Sequence, residues 1–189
     1  MIPNLITISR IIMTFFSVWL LESDQYNMLM FLSINILIFI SDILDGKIAR
    51  HFNLVSHVGE ILDVSADLIY ILAMYTVMSL KNIISFYYLF IVIGEFSIFI
   101  ITSKYINKDR KYLVFDTFGR ILAVLYYISP LIMFVTFMKS RVLYSLLYKY
   151  GFYIICVLTF IVIVHRINLC FKNRELDFIK KNQIFEEEL

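Results

Sequence analysis

The sequence predicts an all-α, polytopic integral membrane protein with six transmembrane helices, and three observations carry that prediction. Of 189 residues, 61% are hydrophobic and 17% charged, whereas soluble domains are about half apolar and a quarter charged. Runs such as Met28 to Ile40 and Tyr153 to Val164 contain no charge. Polar residues gather instead in short stretches that separate segments of about 20 apolar residues, the length that crosses a bilayer. With 5 Gly and 2 Pro the composition excludes disorder, and 2 cysteines, Cys156 and Cys170, without metal-ligand spacing exclude a disulfide scaffold or zinc site. A formal net charge of +2 supplies no dense basic face, so nucleic acid is not expected as a partner.

The first span is placed near 4–22. Pro3 suits its first turn, where a missing N–H costs nothing. Arg10 lies inside the apolar run and no small-residue cleavage site follows, so this segment reads as retained rather than as a signal peptide. Glu22-Ser-Asp-Gln leads to the second span, 27–49, and the Arg50-to-Ser56 stretch to the third, 59–80. Lys81-Asn82 precedes the fourth, 83–103; the basic Lys104-to-Lys111 loop precedes the fifth, 117–138, which Pro130 should kink. Lys139-Ser-Arg141 introduces the sixth, 147–169. The membrane domain is thus expected over 1–172, with 173–189 a charged cytoplasmic tail carrying Lys180-Lys181 and Glu186 to Glu188.

Orientation follows from lysine and arginine. Thirteen of the 17 (all but Lys81, Lys139, Arg141 and Lys149) fall with both termini and the 46–58 and 104–116 connections. That side is expected to be cytoplasmic. The 18 Phe and 13 Tyr are bilayer and interface material.

One region breaks the rules for such a protein. Asp42 and Asp45 lie at i,i+3 near the end of the second span, and Asp63 and Asp67 at i,i+4 in the third, so each pair shares one helix face. Buried unpaired carboxylates cost several kcal/mol each in a bilayer. If the two helices are antiparallel neighbours, both pairs lie at the same depth at the cytoplasmic ends and converge. Four carboxylates around one point form a cation site, and all-oxygen ligation selects a hard ion such as Mg²⁺, Mn²⁺ or Ca²⁺. Their combined charge suits two divalent ions in an arrangement fitted to phosphoryl chemistry. Pairing of single aspartates with Arg10, Lys47 or Arg50 is the simpler structural alternative. A carrier of divalent cations is a different one, and would place the carboxylates at the bilayer midplane with an exit path.

The complete pattern is Asp-x2-Asp-Gly-x2-Ala-Arg-x8-Gly-x3-Asp-x3-Asp, at Asp42, Asp45, Gly46, Ala49, Arg50, Gly59, Asp63 and Asp67. It resembles the CDP-alcohol phosphatidyltransferase family. The opening Pro3-Asn4-Leu-Ile-Thr7-Ile-Ser-Arg10 resembles the phosphatidylglycerophosphate synthase branch. The resemblance implies a transferase of phospholipid synthesis in the cytoplasmic membrane of a prokaryote. It would move a phosphatidyl group from CDP-diacylglycerol to a small alcohol, glycerol 3-phosphate being favoured, and release CMP. Serine, inositol phosphate or a phospholipid are the alternative acceptors, and a homodimer is implied.

By the same resemblance, Asp42, Asp45, Asp63 and Asp67 bind two divalent cations, Mg²⁺ or Mn²⁺, and Asp67 also takes the proton from the incoming alcohol. Gly46, Ala49, Arg50 and Gly59 would contact the CDP-lipid, Arg50 through a fork suited to phosphate oxygens. Asn4, Thr7 and Arg10 repeat at i,i+3 and could approach the site from the first helix. Gly119-Arg120 resembles the Gly-Lys of members that take phosphorylated acceptors, making Arg120 the candidate acceptor contact, with Arg110 and Lys111 beside it. Two departures concern the acceptor. The branch usually reads Asp-Pro-Leu-Ala-Asp-Lys where this chain has Asp63-Val-Ser-Ala-Asp67-Leu68, and often Arg-Glu-Phe where this chain has Gly94-Glu95-Phe96. Glu95, alone in its span, either bonds a neighbouring helix or faces the cavity; His51 and His57 flank the motif without an assigned role.

Overall fold

The computed structural model describes residues 2–23, 27–52, 56–106 and 116–187, with side chains except at 2–4, 49–50, 57, 106 and 173–187. It is all helical: α1 (Ile2–Glu22), α2 (Met28–His51), α3 (His57–Leu80), α4 (Phe86–Ile106), α5 (Thr117–Lys139), α6 (Arg141–Leu146) and α7 (Phe152–Glu187), with one π-helical turn at Leu147–Gly151. Among the described residues, six segments are long and apolar enough to cross a membrane, the last of them Arg141–Lys172.

Helix starts are set by side chains that occupy otherwise unpaired N–H groups. Asn27 Oδ1 accepts from the Leu29 N–H at 2.9 Å, Ser56 Oγ from Gly59 at 3.1 Å, and Asp116 Oδ2 from Gly119 at 2.9 Å. The fourth span begins three residues later than its apolar run predicts. Asn82 takes a left-handed φ of 57°, which asparagine tolerates. The turn then lets the Ile83 and Ile84 N–H groups both reach Met78 O, at 2.8 and 3.3 Å, with the two side chains buried rather than helical.

The last span also differs from its expected bounds. Helix begins already at Arg141, ahead of the expected start at 147, passes through the π turn at Leu147–Gly151 and stays helical to Glu187, beyond the expected end at 169. Pro130 lies within α5, which runs through it from Thr117 to Lys139. The Tyr126 carbonyl that Pro130 cannot serve accepts a long 3.4 Å bond from Ser129 Oγ.

α3 is the central helix: it packs on α1, α4 and α5, while α1 also packs on α2 and α4 on α7. Its Tyr70, Met74, Tyr75 and Met78 are fully buried. Water is absent from the bilayer core, so polar bonds between helices do part of the joining, at about 0.6–2 kcal/mol each. Asn35 Nδ2 donates to Ser17 Oγ at 2.8 Å while its Oδ1 accepts from Tyr70 Oη at 2.9 Å, tying α1, α2 and α3. Tyr75 pairs with Ser129 and Tyr126 with Thr159, both at 2.6 Å, joining α3 to α5 and α5 to α7. Phe15, Trp19, Tyr87, Phe90 and Phe160 stay exposed on the outside, as a lipid-facing surface requires.

Candidate active site

The C-terminal part of α2 and the N-terminal part of α3 both lie against the first half of α1. There the four aspartates surround one arginine. Arg10 is fully buried; its Nη1 lies 2.8 Å from Asp42 Oδ1 and 3.0 Å from both Asp63 Oδ1 and Asp67 Oδ1, and its Nη2 lies 2.5 Å from Asp45 Oδ2. Helix periodicity and α1 together explain the convergence: i,i+3 and i,i+4 spacing turns each pair to one face, and α1, which packs on both α2 and α3 where the sequence suggested that those two were direct neighbours, receives both faces.

The four carboxylates do not play equal parts. Asp45 is 4% exposed and also accepts from Thr7 Oγ1 at 3.1 Å, so it stands behind the arginine. Asp42, Asp63 and Asp67 keep 30%, 42% and 31% exposure and offer oxygens within 4.8 Å of one another. These three line a cavity of about 570 Å³ with Gly46, Phe39 and Ile43 on one side and Glu95, Phe96, Phe99, Gly119, Arg120, Val124 and Tyr127 on the other. Four carboxylates against one guanidinium leave a surplus of three negative charges. Oxygen donors with surplus charge fit hard divalent cations, whose charge the arginine alone cannot supply.

Of the other sequence candidates, Gly46 and Arg120 are on the cavity wall. Thr7 faces Asp45, and Gly59 sits in the first turn of α3, bonded to Ser56 and off the cavity wall. Asn4, Ala49 and Arg50 fall in helices but their side chains lie outside the described residues, as do Arg110 and Lys111 altogether. His51 is exposed, edge-on to Phe52 at 5.0 Å.

The far wall holds groups that sequence reasoning left without a role. Asp116 combines its helix cap with a bond from buried Arg166, whose Nε donates at 2.7 Å. Arg166 Nη1 donates to Phe99 O and Thr102 Oγ1, both at 3.0 Å, and its guanidinium lies 4.3 Å from the Phe99 ring centroid. α4, α5 and α7 are thereby clamped at the cavity edge. A Cβ at Gly119 would stand 2.8 Å from Asp116 Oδ1, the oxygen that Arg166 holds, so a side chain there would make that carboxylate shift. Fifty residues separate Asp116 from Arg166, and no local pattern relates them.

Burial pushes the Asp116 carboxyl up, but hydrogen bonds from Arg166 and the Gly119 N–H outweigh it and hold the group below the ordinary carboxylate value. A lowered folded-state pKa stabilises fully above the unfolded value, near 4, and is lost as pH falls through the lowered one. Asp116→Asn is expected to cost about 3 kcal/mol at neutral pH, because Arg166 is left buried without its counter-charge. Thermal unfolding in detergent at pH 7 and pH 3 checks this: wild type should lose much of its advantage at the lower pH.

Glu95 and Tyr127 complete the far wall. Glu95 is 7% exposed, and among the described residues no hydrogen bond or ion pair reaches its carboxylate. Tyr127 stacks on Tyr70 at 4.1 Å and tilts against Phe39 at 5.9 Å, and its buried hydroxyl has no partner among the described residues.

The family model described as CDP-alcohol phosphatidyltransferase matches residues 1–164. A curated protein of Streptomyces coelicolor, "Cardiolipin synthase (CMP-forming)", is 35% identical over 80 residues. The match covers 38% of this chain and 35% of that protein, so the chain aligns with about a third of that relative's length.

Proposed function

Because the chain belongs to the CDP-alcohol phosphatidyltransferase family, we propose that it transfers a phosphatidyl group from a CDP-linked lipid such as CDP-diacylglycerol to a small alcohol and releases CMP. The observation that carries this reading is the convergence of Asp42, Asp63 and Asp67 on one cavity wall, opposite a wall rich in apolar side chains. One wall suits a diphosphate with its counter-ions, and the other suits the carbon skeleton of a lipid or alcohol.

Asp42, Asp63 and Asp67, with Asp45 behind them, would hold two divalent cations, Mg²⁺ or Mn²⁺, and what these supply when bound is neutralisation of charge on the diphosphate and on departing CMP. Asp67 takes the proton from the acceptor hydroxyl, being a carboxylate that opens on the cavity. Gly46, which leaves its stretch of wall without a side chain, faces the nucleotide, and Ala49, Arg50, Gly59, Asn4 and Thr7 belong to the donor side. Arg120, with Arg110 and Lys111, supplies positive charge for an acceptor phosphate.

The acceptor carries a glycerol unit. Glycerol 3-phosphate suits Arg120. A phospholipid with a glycerol headgroup is the second reading, favoured by the name of the Streptomyces relative. The chain works as a homodimer with both termini and the site facing the cytoplasm, where the lysine and arginine excess lies. Purified protein given CDP-diacylglycerol and Mg²⁺ or Mn²⁺ is expected to release CMP only when an acceptor is added. Glycerol 3-phosphate, phosphatidylglycerol, serine and inositol phosphate, offered separately, name it. Folded protein that releases no CMP with any of them defeats the reading.

A further inference from the structure

Glu95 is a carboxylate in the middle of a membrane-spanning helix, 7% exposed, and the described residues leave it without a hydrogen bond or ion pair. Its nearest buried cation is already committed: Arg166 bonds Asp116, the Phe99 carbonyl and Thr102, and stacks on Phe99. A buried carboxylate in that state costs several kcal/mol, so its partner has to come from what enters the cavity it lines. In its charged form a carboxylate only accepts hydrogen bonds, and the partner that keeps it charged is a molecule presenting O–H or N–H groups. A phosphate would be repelled.

A hydroxyl of the acceptor alcohol that takes no part in the reaction is such a donor.

We infer that Glu95 is the residue that binds the non-reacting hydroxyl of the acceptor and sets its specificity for a polyol, with its carboxylate accepting the O–H. The inference rests on the transferase reading and adds to it a specific contact. The shared chemistry is the vicinal hydroxyl pair of glycerol, whether it arrives as glycerol 3-phosphate or as the headgroup of phosphatidylglycerol.

The test measures CMP release at saturating CDP-diacylglycerol with four acceptors: glycerol 3-phosphate, phosphatidylglycerol, and the analogue of each built on 1,3-propanediol, which lacks the middle hydroxyl. Wild type is expected to use the analogue of its preferred acceptor with a KM raised about tenfold or more, the equivalent of one lost hydrogen bond to a charged group. Glu95→Met is expected to raise the KM for the true acceptor about tenfold, with kcat and the KM for CDP-diacylglycerol within about twofold, and to stop distinguishing acceptor from analogue. Glu95→Gln, which keeps a carbonyl acceptor, should fall between. Both variants should melt no lower than wild type, since an unpartnered carboxylate stabilises nothing. An unchanged acceptor KM in Glu95→Met, retained discrimination against the analogue, or a clear loss of melting temperature overturns the assignment. Failure of wild type to release CMP with any acceptor defeats the transferase reading itself, a result distinct from all three.

Discussion

Asp67→Asn should reduce acceptor-dependent CMP release by about 10²–10⁴-fold, the range for loss of a positioned general base, while leaving the helices folded. Asparagine has the same size and still offers Arg10 an oxygen where Asp67 Oδ1 now lies 3.0 Å from Nη1. What it loses is the ability to take a proton and one unit of the negative charge that favours divalent cations. Removing one of four crowded carboxylates also relieves mutual repulsion, so the melting temperature should not fall. Asp45→Asn is the informative contrast. Asp45 is buried, held by Thr7 and Arg10, and off the cavity, so its replacement should act on stability and less on rate. Activity of Asp67→Asn within tenfold of wild type would remove Asp67 from the role of base.

Arg10→Met is expected to destabilise the metal-free protein by about 3–5 kcal/mol, the cost of removing one partner from a buried ion-pair cluster. Here the loss strands four carboxylates at once, two of them from each neighbouring helix. Divalent cation should then stabilise the variant more than it stabilises wild type, because the carboxylates have been freed of their internal counter-charge. Thermal unfolding of both proteins in chelator and in Mg²⁺ or Mn²⁺ reads the effect without any turnover. Equal melting of the two proteins in chelator would mean that the arginine contributes nothing to holding α1 against α2 and α3.

The six spans are legible because hydrophobic length is written locally, and the bilayer imposes it on each segment separately. Boundaries were missed where a residue could serve two structures. Ile83 and Ile84 are apolar enough for a span but fold back in the Asn82 turn, and Arg141 to Leu146 begin with a charge suited to a loop but are already helical. The aspartates stood out because charge inside an apolar run is expensive. Arg10 was visible as one position of an i,i+3 face, but nothing local says that a single guanidinium would reach all four carboxylates. The Asp116–Arg166 clamp and the orphaned state of Glu95 depend on how α4, α5 and α7 pack. Such information exists only between segments distant in sequence.

The enclosure of Arg10 by four aspartates also bears on how the protein enters the membrane. α1 leaves the ribosome before α2 and α3, so Arg10 reaches the membrane before any of its carboxylates. A guanidinium in that position satisfies its donors only among lipid headgroups and water, which keeps the first helix shallow. Asp42 and Asp45 come with the second helix and Asp63 and Asp67 with the third, and each arrival makes deeper burial of the arginine cheaper. The final depth of the first helix is therefore set last, by the third, and the first three spans mature as one unit rather than one at a time.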